Sequence, residues 1–328
     1  MMPYNINNLS ANSLERLYAF NSRIYQDKAI PAKAYIDFFL SKSEKEIEDC
    51  IVLENQQEEI VGQIMASSMS YFLDEKKVDS VWLYDLIVDE QLRKSAWGID
   101  LLLYCMEQHP NSCSTGSGPT ALPLHLKLGN KMLGEIRKYV KIVNPLYGIT
   151  SMGRGIIPID KFPKEINSYR LIGKDELHDL NEPFNQSLFE IARDRDFLQW
   201  RFFSPLHSYA FYQDMQSDDY FVLRTTVLHG ITVMLLVDYR CCTDDGTAFE
   251  NMLAAVIRIT KQLHLPIIVC GSTLAVIDQV LEKHYFRSYG RPRPVIGFVK
   301  CKDRKQDIAD RKFCFVTLAD SDGETNWI

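Results

Sequence analysis

The sequence predicts a mixed α/β protein in which one order of elements is run through twice. Three observations carry that prediction. The stretch Val81 to Leu103, VWLYDLIVDEQLRKSAWGIDLLL, reads as a buried strand, a small-residue turn and a helix start in immediate succession. Two helical patterns and two strands stand upstream of it. Beyond Pro158 the order helix, strands, helix, strand, helix, strand returns at similar length.

Composition bounds the rest. At 328 residues and 46% apolar content there is material for two domains, each with its own core. Net charge is −6 with both signs spread along the chain, which argues against a nucleic-acid surface. The basic clusters at Arg291 to Arg293 and Lys300 to Lys305 read as local solvated surface. The eight cysteines form no CxxC pair and mostly sit in apolar runs, so a reduced, cytoplasmic chain is expected. No run of about 18 uninterrupted apolar residues occurs, and MMPYNINNLS lacks the basic start and apolar core of a signal peptide. The expectation is a protein neither exported nor membrane-spanning. HExxH, metal-spaced Cys/His sets, GxSxG and the P-loop pattern are all absent from the sequence, which removes zinc peptidase, hydrolase and P-loop readings and leaves no metal expected.

In chain order, Ser10 to Tyr25 places Leu14, Leu17, Tyr18, Phe20 and Ile24 at helical spacing, and Pro31 to Leu40 repeats the signal with proline in the first turn. Asp49 to Leu53 and Ile60 to Met69 read as strands about the turn NQQEE, with Tyr71 to Asp79 as a connection. Val81 to Val88 then reads as a strand buried on both faces. In the turn Arg93-Lys94-Ser95-Ala96-Trp97-Gly98 backbone N–H groups and a helix dipole converge, a spot suited to a pyrophosphate; the alternative is a structural turn. A helix over Ile99 to Gln108, a Gly/Ser/Pro loop with at most a strand fragment at Ser112 to Thr115, a helix over Ala121 to Gly134 and one or two short strands over Ile136 to Tyr147 complete the first half.

The order of elements, the turn RKSAWG after the central strand and the helix reading ALPLHLKLG together resemble the GCN5-related N-acetyltransferase family over residues 10 to 150. The resemblance implies that acetyl-CoA lies with its pyrophosphate on the backbone of Arg93, Lys94, Ser95, Ala96, Trp97 and Gly98. It also implies that backbone N–H groups of Leu86, Ile87 and Val88 polarise the thioester carbonyl. It makes Asp85 the candidate base for the amine, against a reading as a buried carboxylate tied to a turn or to Arg93. His125 stands where the family often has a tyrosine that protonates the CoA thiolate. An imidazolium of pKa about 6.5 suits a thiol of about 8.5, and a packing histidine is the other reading. Ala96 occupies the family's usual first glycine. A left-handed backbone there would cost a Cβ on the order of 1 kcal/mol.

Pro158 to Asn167 is the most link-like stretch, so the domains are expected at 1–157 and 158–328. Beyond it the sequence predicts a helix over Glu176 to Ile191 and an aromatic cluster at Phe197, Trp200, Phe202 and Phe203 beside Arg201, read as core. Strands follow over Ser208 to Gln213, Asp219 to Thr226 and Ile231 to Tyr239, the last two joined by a His229-Gly230 hairpin. A helix over Phe249 to Leu263, a strand over Pro266 to Cys270, a helix over Leu274 to His284 and a strand over Pro294 to Lys300 end the pattern. The second copy is degenerate: after MLLVDYR comes CCTDDGTAFE, whose carboxylates repel a pyrophosphate.

The resemblance thus implies two tandem acetyltransferase-like domains and an N-acetyltransferase using acetyl-CoA. The acceptor would be a small amine, an amino sugar or nucleotide sugar, in a cleft shared with the second domain. RDRDFLQWRFFSP resembles a segment of tandem proteins associated with cell-surface sugar or peptidoglycan building. The alternatives are a non-catalytic CoA-binding or scaffold protein and a tandem-domain aminoacyl transferase using aminoacyl-tRNA. The negative charge weighs against the last.

Overall fold

The computed structural model describes residues 4–25, 32–43, 45–73, 76–118, 121–178, 180, 182–185, 189–204, 206–298 and 314–320. By compactness the chain divides into two units, one of Met1–Ser70, Val78–Met132 and Val295–Gln306, the other of Tyr71–Lys77, Leu133–Pro294 and Asp307–Ile328.

The first unit opens with a strand that the sequence pattern did not signal, β1 (Tyr4–Asn8). Helices α1 (Leu14–Ile24), α2 (Ala32–Leu40) and α3 (Lys45–Asp49) follow. They lead into strands β2 (Ile51–Asn55), β3 (Ile60–Leu73) and β4 (Lys76–Val88), helix α4 (Trp97–Gln108), β5 (Ser112–Thr115) and α5 (Leu122–Lys127). The sheet runs β1-β2-β3-β4-β5, antiparallel from β1 to β3 and parallel between β4 and β5.

Several boundaries differ from the sequence expectation for local reasons. Lys45–Asp49 is helical where a strand was expected to begin at Asp49, its Glu46 carboxylate accepting the Ser68 N–H at 2.9 Å. The expected connection from Tyr71 to Asp79 is largely strand, because β3 and β4 each extend toward the other. The helix expected over Ala121 to Gly134 stops after Lys127. Gly129 is left-handed (φ 96°), its N–H bonds to the Leu126 carbonyl at 3.2 Å and Asn130 N–H reaches back to the His125 carbonyl at 3.0 Å, a Schellman helix end.

The second unit contains β6 (Lys131–Ile142), α6 (Tyr147–Ser151), β7 (Glu165–Ile166), β8 (Tyr169–Leu171), β9 (Phe189–Ile191) and α7 (Arg195–Phe202). It continues with β10 (Ala210–Asp214), β11 (Tyr220–Leu228), β12 (Ile231–Arg240), α8 (Thr247–Gln262) and β13 (Ile267–Ser272). Last come α9 (Ala275–Lys283), β14 (Arg287–Phe298), of which the residues from Val295 on belong to the first unit, and β15 (Cys314–Phe315). The single strand β6 replaces the short pieces expected from Ile136 on, and Val299 and Lys300 of the last expected strand lie outside the described residues.

Its sheet runs β6-β13-β12-β11-β10-β8-β7, parallel only between β12 and β13. Alternation puts Met234, Leu236, Ile268 and Cys270 on one face with Phe249, Val256, Ile277 and Leu281 of α8 and α9. Val233, Leu235, Val237 and Val269 face the other way, against Phe197, Leu198 and Phe202 of α7. The aromatic cluster is core, as read from the sequence. The His229-Gly230 hairpin is also present, both residues left-handed (φ 49° and 79°) between the pair Leu228 and Ile231. The stretch Glu176 to Ile191 is described except at 179, 181 and 186–188, and among its described residues the expected α-helix is not found. Pro183 interrupts it, and Phe189–Ile191 is drawn into pairing with Tyr71–Phe72 and Cys314–Phe315.

Candidate functional site

The site begins with an irregularity in β4. Val81 and Leu83 point into the core of the first unit; so do Leu86 and Val88. The core-facing set therefore shifts from odd to even positions across Asp85, which a regular strand cannot do. Asp85 sits at φ 49°, and the strand accommodates the slip as a bulge. The ladder to β5 extends over Val81↔Ser112, Trp82↔Cys113 and Leu83↔Ser114, and then ends. Tyr84 is 7% exposed with its ring 4.2 Å from that of Phe39, whereas Asp85 to Val88 are half-buried. The strand expected to be buried on both faces is so only through Tyr84.

Arg23 of α1 and its C-cap residue Tyr25 fix this end of β4. The Tyr25 hydroxyl donates to Asp85 Oδ1 at 2.6 Å, and Arg23 donates from Nη2 to both oxygens of Asp89 at 3.0 and 2.9 Å. Neither tyrosine nor arginine was singled out from sequence, since only the folded chain brings positions 60 and 66 residues apart together.

Beyond Asp89 the chain makes one 3-10 turn at Glu90–Leu92 and enters α4 with Ala96 as N-cap. Ala96 adopts φ −78°, an ordinary right-handed value. Its Cβ carries no backbone penalty, so the glycine of the resembling family is not needed for conformation here. Arg93, Lys94, Ser95 and Ala96 are exposed, while Trp97 packs edge-on against Tyr4 of β1 at 5.1 Å. The first turn of α4 lies against the end of β4: a Cβ built on Gly98 would stand 3.9 Å from Val88 Cγ1. A closer approach occurs at Gly62, where a Cβ would meet Val88, Leu101 and Leu53 at 3.1 to 3.2 Å. The absence of a side chain at Gly62 thus lets α4 sit down on β3 and β4. Val88 at the end of β4 and Gly98 at the end of the turn are accordingly neighbours.

His125 occupies α5 and is 6% exposed, with Nδ1 unpartnered. Burial lowers its pKa, which favours the neutral ring and works against the imidazolium that a role as acid requires. The turn that follows places Asn130 Nδ2 at 3.6 Å from Met106 Sδ, in the last turn of α4.

No protein-family model matches the chain, and no curated protein matches its sequence. Solved structures do match. A GCN5-related N-acetyltransferase from Anabaena variabilis superposes with a TM-score of 0.61 at 9% identity, over 90% of this chain and 72% of that one. The fold is that of the GCN5-related N-acetyltransferases. Saccharomyces cerevisiae N-myristoyltransferase with bound myristoyl-CoA superposes equally well, at TM-score 0.61 and 14% identity over 91% of this chain and 83% of that one. A GCN5-related N-acetyltransferase from Kribbella flavida gives 0.58 at 10% identity over 90% and 70%. The acetyltransferase-like fold expected from the order of elements is the one observed, and at these identities the likeness is one of fold.

Proposed function

We propose that the chain is an acyl-CoA-dependent N-acyltransferase with acetyl-CoA as donor and an amine of a small molecule, an amino sugar or nucleotide sugar, as acceptor. The observation that carries this reading is the bulge at Asp85. It ends the β4–β5 ladder at Leu83 and leaves the half-buried backbone of Leu86, Ile87 and Val88 beside the α4 N-terminus. We assign the thioester carbonyl to N–H groups of Leu86 to Val88 and the pyrophosphate to the backbone of Arg93 to Gly98. The exposed Arg93 and Lys94 side chains add charge. Asp85, oriented by Tyr25, takes the proton of the attacking amine. The amine nitrogen then attacks the carbonyl carbon, the C–S bond breaks, and the leaving thiolate takes a proton from His125 in its imidazolium form or from water.

We assign two copies of the fold to 1–157 and 158–328, β6 belonging to the first by order and to the second unit by compactness. The internal repeat supports this. In β12 an extra residue, Val237, separates the pairs Leu223↔Leu236 and Val222↔Asp238, and the parallel ladder to β13 covers three pairs ending at Leu236. Asp238 is therefore the counterpart of Asp85. Its surroundings are closed: Arg193, Arg240, Tyr220 and Thr317 all bond to its carboxylate, and the turn that follows is acidic. Only the first copy offers a donor site.

Calorimetric titration with acetyl-CoA, CoA and longer acyl-CoAs tests the reading. Saturable binding that is lost in Gly98→Glu is expected. Binding unaffected by Gly98→Glu overturns the pyrophosphate assignment, and its absence in the wild type overturns the donor itself. Thiol release with a panel of amines, retained by wild type and lost in Asp85→Asn with CoA binding intact, tests transfer.

A further inference from the structure

One stretch of the second unit breaks the usual surface pattern. Ile142, Leu146, Ile149, Met152 and Ile156 are 65%, 71%, 77%, 69% and 59% exposed. Five aliphatic side chains standing clear of the surface within fifteen residues form an uncommon patch for a chain with ample core.

The backbone between them is not loose. Val143 N–H bonds to the Pro266 carbonyl at 2.7 Å, Tyr147 packs edge-on against His264 at 5.1 Å, and Ser151 Oγ donates to the His264 carbonyl at 3.1 Å. Arg154 donates to the Leu263 carbonyl at 2.7 Å, Gly153 N–H to Gly230 at 3.0 Å, and Thr232 Oγ1 to Gly155 at 2.8 Å. The clamped positions 143, 147, 151, 153 to 155 and 157 alternate with the exposed ones at 142, 146, 149, 152 and 156. The segment is held from one side and presents an apolar row on the other, the arrangement of an amphipathic strip although only Tyr147–Ser151 is helical.

Charge on this face is one-sided. From Arg137 to Ile159 the sequence carries Arg137, Lys138, Lys141 and Arg154 and no carboxylate. The two segments clamping the strip, Val227 to Thr232 and Ile257 to Pro266, add Arg258 and Lys261 and again no acid. Lys141 stands 5.5 Å over the ring of Tyr285, itself 75% exposed, and also donates from Nζ to the His284 carbonyl at 2.6 Å; Glu282, three residues before Tyr285, and Asp160, four residues beyond Ile156, are carboxylates at the border of the patch. This basic rim belongs to a protein of net charge −6.

We propose that this face docks on an anionic phospholipid bilayer, Leu146, Ile149, Met152 and Ile156 entering the headgroup boundary while Lys141, Arg154 and Lys261 meet the lipid phosphates. Protruding aliphatic side chains with a tyrosine and basic residues around them suit a soft interface that closes over them; a protein partner favours recessed aromatic and arginine anchors. Among the described residues no helix is long and apolar enough to cross a membrane, so the protein lies on the bilayer.

The test is sedimentation of the full chain with vesicles of phosphatidylcholine alone and of phosphatidylcholine mixed with phosphatidylserine. Binding to the mixed vesicles that weakens in high salt is expected. The double variant Leu146→Asp, Ile149→Asp should lose on the order of tenfold or more in apparent affinity, with an unchanged thermal midpoint because both side chains are largely exposed. Lys261→Glu should weaken binding in low salt only. No binding, equal binding to neutral vesicles, or binding indifferent to the double variant overturns the proposal. Concentration-dependent self-association abolished by the same pair would assign the face to a second copy and overturn it as well.

Discussion

Asp238 stands two residues beyond Leu236, the last residue of β12 paired in parallel, as Asp85 stands two residues beyond Leu83 in β4. The two carboxylates share an offset from the end of a parallel ladder and have opposite fates. Asp85 is half-buried and receives the Tyr25 hydroxyl, whereas Asp238 is fully buried between two guanidiniums.

The bulge at Asp85 makes a stability prediction. At φ 49° glycine is at ease and alanine is not, so Asp85→Gly should be more stable than Asp85→Ala by about 1 kcal/mol. In a regular strand glycine would be the worse of the two. Urea midpoints of the two variants decide it, and the reverse order would remove the bulge from the site.

Ala96→Gly should leave CoA affinity within about twofold, because the right-handed backbone at Ala96 gains nothing from glycine beyond a flexibility cost of roughly 0.5–1 kcal/mol. Gly98→Ala should fold and bind too, its Cβ meeting Val88 at an ordinary distance. Gly62→Ala, by contrast, crowds three side chains and should cost about 1–3 kcal/mol. Calorimetry paired with thermal melts separates the three.

The buried ion cluster sets an acid limit on stability. Burial by itself would raise the Asp238 carboxyl, but Arg193 and Arg240 overcome it and hold it at about 2. A carboxyl depressed in the fold contributes stability that is complete above its unfolded value of about 4 and is lost as pH falls toward 2. Asp238→Asn leaves the guanidiniums undercompensated and should cost about 3–5 kcal/mol at neutral pH. Glu190 is the contrast. Burial raises its carboxyl, with Arg240 only partly offsetting this, so Glu190→Gln should cost less than Asp238→Asn. Equal losses in denaturant titrations would refute this division of roles.

His125 works in the other direction. Burial lowers its pKa, so the fold favours the neutral ring and stability falls as pH drops below the unfolded value of about 6.5. His125→Gln should narrow the difference in melting temperature between pH 5 and pH 7. An unchanged difference would show that His125 protonates as freely in the fold as out of it.

The sequence by itself determined most of the framework. The apolar run at Val81, the helical spacing of Phe249 to Leu263 and the His229-Gly230 turn are local signals, and each element formed where its pattern lay. The turn of Arg93 to Gly98 was legible for the same reason: small residues and a helix start are neighbours in the chain. Tertiary structure decided the rest. β1 carries too short a pattern to announce itself and exists because β2 offers its edge. Phe189–Ile191 became strand through pairing with Tyr71–Phe72 and Cys314–Phe315. The slip at Asp85, its Tyr25 partner, the burial of His125 and the closure of Asp238 by residues up to 79 positions away in sequence depend on contacts that no local spacing encodes. Burial and pairing are properties of the assembled chain, and they left Asp85 half-buried and made Asp238 a structural ion.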